Sequence, residues 1–364
     1  MDIETIAIVM AGGQSPSLWP KSTMKLPKQF QHFVGEGTLL QNTVNRISKI
    51  INSEKIFVAT SKEFVYLVEE QLPLLPKENI ISEPFPRNTL PCVSLSLTQL
   101  SYLLKDDTVF VLFPSDHHIS NLGEFYQSLE IAIDFAYKND AIVAIGVTPT
   151  RPETHYGYIQ IDRNPNGLGE YYEKGIRYSK TFAEKPDFDS ARRFISTGEF
   201  LWNTGIYVLK VSTFWNTLKV CSSEIYNYFS ILKKFLGRPQ FESAVLETFR
   251  QIQSESIDIG IMERTRNVYA VESSFSWSDV GTWDEIYRLS LKDAENNCLV
   301  GDVIVLDTRN CFIQTDEKPI ATVGVEDLII IDSKRALLIC KRGMSEKVSE
   351  IVSYLRRKNA DPLL

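Results

Sequence analysis

The first half of the chain alternates short apolar runs with longer segments of helical periodicity. The apolar runs of strand length are IAIVMA, KIFVAT, VFVLFPSDHHI and AIVAIGV, and helices are predicted near 39–51, 62–72, 91–104 and 123–137. Continuous apolar runs of this length are typical of parallel strands that are covered on both faces. The alternation therefore predicts right-handed βαβ units and an α/β fold built on a doubly wound, mostly parallel sheet.

The pattern changes after about residue 285. Short β-like segments separated by turns follow in GDVIVLDTRNCFIQTDEKPIATVGVEDLIIIDSKRALLICKR, and a helix is predicted from Ser345 to Arg357. This change predicts two domains, a large one over residues 1–284 and a small β domain over 285–364. A β-sandwich fragment is one architecture that fits the second domain.

Composition narrows the class of protein. The 364 residues, 43% of them hydrophobic, suffice for a large α/β domain and a small second one. A formal net charge of -7 with scattered basic residues argues against a surface for a nucleic acid polymer. We expect a cytoplasmic protein with no membrane span or signal peptide. Five cysteines without a C-x-x-C pair predict reduced thiols, with no disulfide and no zinc.

A glycine turn follows the first apolar run. Gly12 and Gly13 come directly after it, and Lys25 and Lys28 come shortly afterwards. Glycines let backbone N–H groups approach an anion closely, and lysines neutralise its charge. The spacing matches neither G-x-G-x-x-G nor G-x-x-x-x-G-K-[ST]. The sequence therefore predicts a phosphate-binding turn, with an ordinary strand-to-helix turn as the alternative.

Two aspartates from distant segments form a second candidate site. Asp116 follows the apolar strand 109–113 directly, and Asp279 lies in FSWSDVGTWD. Two carboxylates are what a hard divalent cation needs when phosphates supply its other oxygens, so the pair predicts a magnesium site. Taken singly, each aspartate is more often a turn or cap residue. His117 and His118 point to opposite sides of an extended segment, and we expect neither to be a ligand.

The stretch 6–30 resembles the signature of the sugar-phosphate nucleotidyltransferases, and within them of the mannose-1-phosphate guanylyltransferases. The family pattern is roughly A-G-G-x-G-T-R-L-W-P-L-S-R-x-x-x-P-K-Q-F, and this chain departs from it at Ser15, Pro16, Ser17 and Thr23. Asp116 and Asp279 match the family motifs P-[AS]-D-H and W-x-D-V-G. SEPFPRNTLP, PETHYGYIQI, FAEKPD and WNTGIYVLK resemble further family stretches in the family's order. The resemblance runs from about Ile6 to Arg357.

The resemblance implies a set of site residues. The nucleotide-binding residues are Ala11, Gly12, Gly13, Arg87, Asn88, Thr89 and Ser115. The sugar-phosphate side comprises Gly157, Glu184, Lys185 and Asn203. Asp116 and Asp279 hold Mg²⁺, and the catalytic residues are Lys28, Lys25, Lys21 and Asp116. Without the family, Asn88 or Thr89 fits a helix N-cap, and Glu184 with Lys185 fits a solvated charge pair.

The resemblance also implies a reaction. A phosphate oxygen of mannose 1-phosphate attacks the α-phosphorus of GTP and gives GDP-mannose and pyrophosphate. The loop arginine of the family is missing, since Ser17 occupies its position, and we expect Lys21 or Lys25 to replace it. Two alternatives stay open: a regulatory subunit that binds nucleotide sugar without turnover, or the same chemistry on another sugar 1-phosphate, which His155 and Thr204 would allow.

The resemblance finally bears on assembly. Family members carry a left-handed β-helix fragment in the second domain, often used in subunit contacts, so a homodimer is implied. Some members continue into a phosphomannose isomerase domain, whereas we expect a single activity here.

Overall fold

A computed structural model describes residues 3–165, 167–360 and 363 of the chain. The strands in chain order are β1 (Thr5–Met10), β2 (Ile56–Ser61), β3 (Ile80–Glu83), β4 (Val109–Pro114), β5 (His118–Ile119), β6 (Ile142–Val147), β7 (Gly157–Ile161), β8 (Ile176–Ala183), β9 (Phe200–Lys210), β10 (Val268–Ser273), β11 (Trp277–Ser278), β12 (Cys298–Val300), β13 (Val303–Leu306), β14 (Phe312–Gln314), β15 (Ile320–Val323), β16 (Leu328–Asp332) and β17 (Leu337–Lys341). The helices are α1 (Leu39–Ile47), α2 (Val65–Gln71), α3 (Thr89–Gln99), α4 (Leu122–Asn139), α5 (Glu170–Glu173), α6 (Phe188–Thr197), α7 (Val211–Cys221), α8 (Ser223–Leu232), α9 (Phe241–Gln251), α10 (Trp283–Leu289) and α11 (Val348–Arg357).

The described residues divide into two compact units. Unit 1 contains the chain up to Gly12, Val44–Ser115 and Ile119–Trp277, and unit 2 contains Gly13–Thr43, Asp116–His118 and the chain from Ser278 onward. The segment that follows the glycine turn therefore packs with the C-terminal part of the chain. The domain boundary expected at residue 284 stays a prediction.

Unit 1 is built on a nine-stranded sheet. Its order is β3-β2-β1-β4-β9-β6-β10-β8-β7. Strands β1 to β4 pair in parallel, and β6 pairs in parallel with β10. Strand β9 runs antiparallel to both β4 and β6, and β7 and β8 add further antiparallel pairs. The α/β fold with the doubly wound parallel part is confirmed, and the antiparallel strands extend it.

Helices cover the parallel part of this sheet, as the apolar runs predict. Strand β4 is buried along nearly its whole length, and Phe110 packs edge-on against Phe214 of α7 with ring centroids 5.9 Å apart. The chain order reverses between β1 and β4, which pair in register from Thr5 to Met10. Ligands in such sheets bind beyond the carboxyl ends of the strands at this reversal. The glycine turn follows the carboxyl end of β1, and Ser115 follows the carboxyl end of β4.

Unit 2 stacks short parallel strands in successive turns of chain. Cys298 lies beside Phe312, which lies beside Ile329, and β13 pairs in parallel with β15. Strand β17 closes this stack antiparallel to β16. Parallel stacking of this kind forms a β-helix-like coil and excludes the antiparallel β-sandwich. Its core includes Trp283, whose Nε1 donates to the carbonyl of Trp19 over 3.0 Å.

No helix within the described ranges combines the length and the apolar composition that a membrane span requires.

Candidate active site

The turn after β1 is held in unit 1 by backbone contacts to β2. The amide of Ala11 donates to the carbonyl of Ala59 over 2.7 Å, and Thr60 Oγ1 donates to the carbonyl of Ala11 over 3.0 Å. A Cβ atom on Gly12 would lie 3.2 Å from Oε2 of Glu83. Neither Gly12 nor Gly13 has a positive φ. A side chain at position 12 would therefore be tight against Glu83, whereas the backbone conformation there needs no glycine.

Glu83 is a buried acid at this turn that the sequence analysis missed. It is 3% exposed, and its Oε1 has no hydrogen-bond partner among the described residues. Burial raises the pKa of Glu83 to about 8, against a smaller opposing effect of the Cys92 thiol. The carboxyl group is therefore neutral near pH 7. An acidic residue at the end of the apolar strand IISE was the available signal.

The stretch predicted to meet the base makes structural contacts within unit 1. Arg87 Nε donates to the carbonyl of Phe249 over 2.8 Å, and its guanidinium lies 5.0 Å from the ring centroid of Phe85. Asn88 is the N-cap of α3 and accepts from the amide of Thr89. Thr89 Oγ1 accepts from the amide of residue 257 over 2.9 Å. The cap alternative is confirmed, and the base-binding role stays a prediction. Ser115 is buried at the end of β4, where its amide donates to the carbonyl of residue 10.

In unit 2 a buried lysine joins the two predicted metal ligands. Lys28 is 5% exposed, and its Nζ lies 3.1 Å from Oδ2 of Asp116. The same Nζ donates to the backbone carbonyl of Asp279 over 2.8 Å. A Cβ atom on Gly281 would lie 2.8 Å from Oδ2 of Asp279, so a glycine is needed there to leave room for the carboxylate. The short segment Lys28–Phe30 thus fixes one ammonium group against two acidic residues from distant parts of the chain.

The two aspartates have different electrostatic environments. Burial alone would raise the pKa of Asp116, but the ammonium of Lys28 and then His117 outweigh it and hold the pKa below its ordinary value. Burial raises the pKa of Asp279, against Lys28, and the negative charge of Asp116 adds to the rise. Two carboxyl groups therefore share one counterion. This excess of hard oxygen donors over positive charge fits Mg²⁺, which prefers carboxylate oxygens.

The other predicted lysines lie in different surroundings. Lys21 forms an ion pair with Asp316 inside unit 2, and its side chain is 13% exposed. Lys25 is exposed, and no ion pair is recorded for it within the described residues. Gln29 Nε2 donates to the carbonyl of Gly13 over 2.9 Å and ties the end of the glycine turn to the Lys28 segment. His117 is buried, with Nε2 3.8 Å from Oδ1 of Asp116.

In unit 1 the structure brings together the four predicted sugar-side residues. Gly157 pairs with Asn203 across β7 and β9, and a Cβ atom on Gly157 would lie 2.9 Å from Oε2 of Glu184. Asn203 Nδ2 donates to Oδ1 of Asp258 over 3.0 Å. The fourth, Lys185, is 65% exposed, with its Nζ 3.7 Å from Oε1 of Glu184.

Asp258 completes this cluster, and sequence reasoning missed it. It begins the one-turn π-helix Asp258–Met262 and accepts hydrogen bonds from Asn203 and from the hydroxyl of Tyr207. Burial raises the pKa of Glu184, and Asp258 adds to that rise. Single-turn π-helices often occur at functional sites. The signal in the sequence was a lone aspartate in the apolar stretch IDIGIM.

Two residues considered for sugar choice differ in environment. Thr204 is 1% exposed, and its Oγ1 donates to the carbonyl of Ile145 over 2.7 Å. Its side chain therefore makes a hydrogen bond inside the sheet. His155 has a side chain that is 41% exposed, with Nδ1 3.5 Å from Oε1 of Glu153. Only His155 of these two therefore presents a side chain that a ligand could reach.

A parallel sheet with a glycine turn at its chain reversal, combined with a β-helix-like unit, defines an α/β nucleotidyltransferase. Comparisons with known proteins agree with this class. The chain belongs to the nucleotidyl transferase family, whose family model matches residues 6–296. The model of the mannoseP isomerase/GMP-like beta-helix domain matches residues 301–355.

Individual relatives narrow the family. The mannose-1-phosphate guanylyltransferase of Escherichia coli is 33% identical over 97% of this chain and 74% of its own length. The alginate biosynthesis protein AlgA of Pseudomonas aeruginosa is 32% identical over 96% of this chain and 72% of its own length. A crystal structure described as mannose-1-phosphate geranyltransferase from Thermus thermophilus is 27% identical, with a TM-score of 0.85, and covers 97% of this chain and 100% of that one. The resemblance found in the sequence is confirmed.

Proposed function

We propose that the chain joins GTP and mannose 1-phosphate to give GDP-mannose and pyrophosphate. The observation that carries this proposal is the Lys28 cluster, in which one buried ammonium group contacts Asp116 and the backbone of Asp279. The relatives named mannose-1-phosphate guanylyltransferase support the choice of substrates, since they match nearly the full chain.

The proposed reaction needs no covalent nucleophile. The phosphate of the sugar is already anionic, so the protein must align two anions that repel each other and stabilise charge at the α-phosphorus. Lys28 neutralises phosphate charge, and the amides of Gly12 and Gly13 donate to phosphate oxygens. Asp116 and Asp279 would hold Mg²⁺, which supplies Lewis-acid stabilisation of phosphoryl oxygens when bound.

On the sugar side, unit 1 offers a set of acceptors and donors suited to hydroxyl groups. Glu184 accepts hydrogen bonds from sugar hydroxyls, and Asn203 both donates and accepts. Asp258 fixes the amide of Asn203 through the hydrogen bond of 3.0 Å. Gly157 lets the ring approach the backbone beside Glu184, and Lys185 pairs with the sugar phosphate. The segment Arg87–Thr89 is proposed to present backbone and side-chain groups to guanine.

A panel of nucleoside triphosphates crossed with sugar 1-phosphates, followed by pyrophosphate release, tests the function. We expect release with GTP and mannose 1-phosphate in the presence of magnesium, and loss of release after chelation with recovery when magnesium is returned. Release with a different sugar 1-phosphate would move the proposal to that sugar, which the exposed His155 permits.

A regulatory role is the second candidate, and the departures Ser15, Pro16 and Ser17 in the glycine turn are what favour it. Binding of GDP-mannose with no pyrophosphate release from any pair in the panel would support the regulator and contradict the enzyme.

We also propose a cytoplasmic homodimer. Five free thiols suit a reducing compartment. On the two-stranded sheet of unit 2, Ile304, Leu306 and Val323 are 61%, 59% and 66% exposed. Leu306 pairs with Val323, and Ile304 lies two residues before Leu306 on the same strand. Exposed apolar side chains on one face support burial against a second copy. Sedimentation of the protein and of Ile304→Glu tests this, since a dimer that persists unchanged in the variant would place the interface elsewhere.

A further inference from the structure

The glycine turn carries no positive side chain where the proposed reaction needs one. Gly13, Gln14, Ser15, Pro16 and Ser17 follow one another between the sheet and the short helix Pro16–Leu18. A nucleoside triphosphate brings several negative charges to such a turn, and backbone amides alone balance them poorly. A cation must therefore come from elsewhere in the fold if this turn holds the triphosphate.

Two lysines of unit 2, Lys28 and Lys21, already have carboxylate partners. Lys28 is buried against Asp116, and Lys21 is paired with Asp316. Moving either ammonium group to a nucleotide phosphate would leave a carboxylate without its counterion, which costs free energy in a partly buried setting. These two lysines are consequently poor sources of a new contact at Gln14–Ser17.

Arg356 reaches the glycine turn from the C-terminal helix. Its Nη2 donates to Oε1 of Gln14 over 3.0 Å, although the two residues lie 342 positions apart in the chain. Arg356 also lines a cavity with residues of the turn, namely Gln14, Ser15, Pro16 and Trp19. The guanidinium therefore lies over the part of the turn that lacks a charge of its own.

The position of Arg356 is fixed by the packing of its helix. Val348 and Val352 of α11 are buried in the same apolar cluster as Leu18 and Trp19 of the turn segment. Arg356 comes one helical turn after Val352, so the two side chains lie on the same side of the helix. A helix packed through Val348 and Val352 thus presents a long, exposed side chain to a short loop.

Within the described part of the chain, no acidic side chain neutralises the charge of Arg356. Its recorded partner is the neutral amide of Gln14, and no carboxylate lies within ion-pair distance of it among residues 3–165 and 167–360. A guanidinium offers a planar fork of donors that matches two phosphate oxygens, and contacts of this kind are the strong charge-assisted ones. The side chain is exposed and has no acidic partner in these ranges, so the fork is open to a ligand.

We propose that Arg356 binds the β- and γ-phosphates of the nucleoside triphosphate at the glycine turn. This inference rests on the proposed function and adds a residue that the sequence motifs do not contain. In the free protein Gln14 holds the guanidinium in place, and the phosphates replace that neutral contact with a charged one. Arg356 is accordingly a substrate-binding residue of the transfer reaction.

Four variants separate this role from a purely structural one. Arg356→Ala removes the charge, Arg356→Lys keeps it without the fork, and Gln14→Ala removes the hydrogen bond while keeping the arginine. Arg357→Ala is the matched control, because Arg357 is the exposed neighbour on the same helix. The measurements are KM for GTP, KM for the sugar 1-phosphate, and calorimetric affinity for GTP and for GMP, which lacks the distal phosphates.

We expect Arg356→Ala to weaken GTP affinity and raise KM for GTP by about 10- to 100-fold, with GMP affinity changed by less than about twofold. Arg356→Lys should recover part of this loss, whereas Gln14→Ala and Arg357→Ala should change GTP affinity by less than about threefold. Equal losses in Arg356→Ala and Gln14→Ala, or equal losses for GTP and GMP, would assign Arg356 to loop support and overturn the proposal. Unchanged GTP affinity in Arg356→Ala would also overturn it.

Failure of the proposed function gives a different result. A wild-type protein that releases no pyrophosphate from GTP and mannose 1-phosphate contradicts the function, while the comparison of GTP with GMP binding still decides the role of Arg356.

Discussion

Two carboxyl groups, Asp116 in unit 2 and Glu83 in unit 1, have opposite electrostatic environments. In unit 2, Asp116 lies 3.1 Å from a buried ammonium group, which holds its pKa below the ordinary value despite burial. In unit 1, Glu83 is buried with no ion pair recorded for it among the described residues, and burial raises its pKa to about 8. The carboxyl group of Asp116 is thus an anion, whereas that of Glu83 keeps its proton near pH 7.

This difference suits the two carboxyl groups to different roles in the proposed reaction. A charged carboxylate beside Lys28 suits a metal and charge stabilisation in the transition state, whose loss lowers kcat. The acids of unit 1, including Glu184 with its raised pKa, suit hydrogen bonding to neutral groups. Their loss should act mainly on substrate KM or on the stability of the fold. Substitutions in each unit test whether turnover and substrate affinity separate in this way.

The largest effect is expected from Asp116→Asn. Loss of this charge removes a proposed metal ligand and leaves Lys28 without its carboxylate, so kcat should fall by at least about 10³-fold, in the range of lost transition-state stabilisation. The KM for the sugar 1-phosphate should change by less than about threefold. Steady-state kinetics measure both constants, and the exposed Asp302→Asn in the same unit is the control. A variant that loses sugar affinity in place of turnover would contradict the division between the units.

Glu83→Gln tests the neutral acid through stability. A folded pKa of about 8 means that native Glu83 keeps its proton while the unfolded chain loses it, so the free energy of unfolding falls as pH rises from the ordinary value toward 8. Glutamine does not titrate. Between pH 5 and 7 the variant should therefore gain about 2 to 3 kcal/mol relative to the wild type, at about 1.4 kcal/mol per pH unit.

Urea unfolding at pH 5, 6 and 7 measures this difference. Glu78→Gln is a suitable control, because Glu78 is exposed in the segment just before β3. Parallel pH curves for the wild type and Glu83→Gln would show that Glu83 ionises normally in the folded protein.

Asp258→Asn should have a smaller effect that falls on substrate affinity. The variant keeps the shape of the side chain, but its neutral amide holds Asn203 and Tyr207 less firmly than a carboxylate does. The KM for the sugar 1-phosphate should rise about tenfold, with kcat within about threefold and the exposed Asp107→Asn unchanged. A fall in kcat with constant KM would place Asp258 with the charged cluster.

The sequence predicted much of this architecture because periodicity is a local property. The helix expected near 123–137 is observed as Leu122–Asn139, and the one expected from Ser345 to Arg357 is observed as Val348–Arg357 after a short 3-10 turn. The motifs around Asp116 and Asp279 also led to residues that share Lys28.

The missed features depend on contacts between distant residues. Asn203 and Asp258 meet across 55 positions, and Gln14 meets Arg356 across 342. The antiparallel course of β9 is likewise decided by its neighbours β4 and β6, since its own apolar pattern fits either direction. Glu83 lies beside Gly12, which is distant from it in the chain, and an added Cβ atom on Gly12 would be 3.2 Å from Oε2. None of these is readable from one segment alone.

The smallest effect is expected from the lysine that the sequence nominated to replace the loop arginine. Lys21 is paired with Asp316, so Lys21→Ala should change kcat/KM for GTP by less than about threefold, as exposed or partly exposed ion pairs contribute little. Lys25→Ala is the matched test of the alternative, because Lys25 is exposed and has no recorded ion pair in the described part of the chain. Measuring kcat/KM for GTP in both variants and in Arg356→Ala ranks the contributions of the three positive side chains. A loss of tenfold or more in Lys21→Ala would mean that the nucleotide draws this ammonium group away from Asp316. Lys21, in place of Arg356, would then be the residue that neutralises the phosphates at the glycine turn.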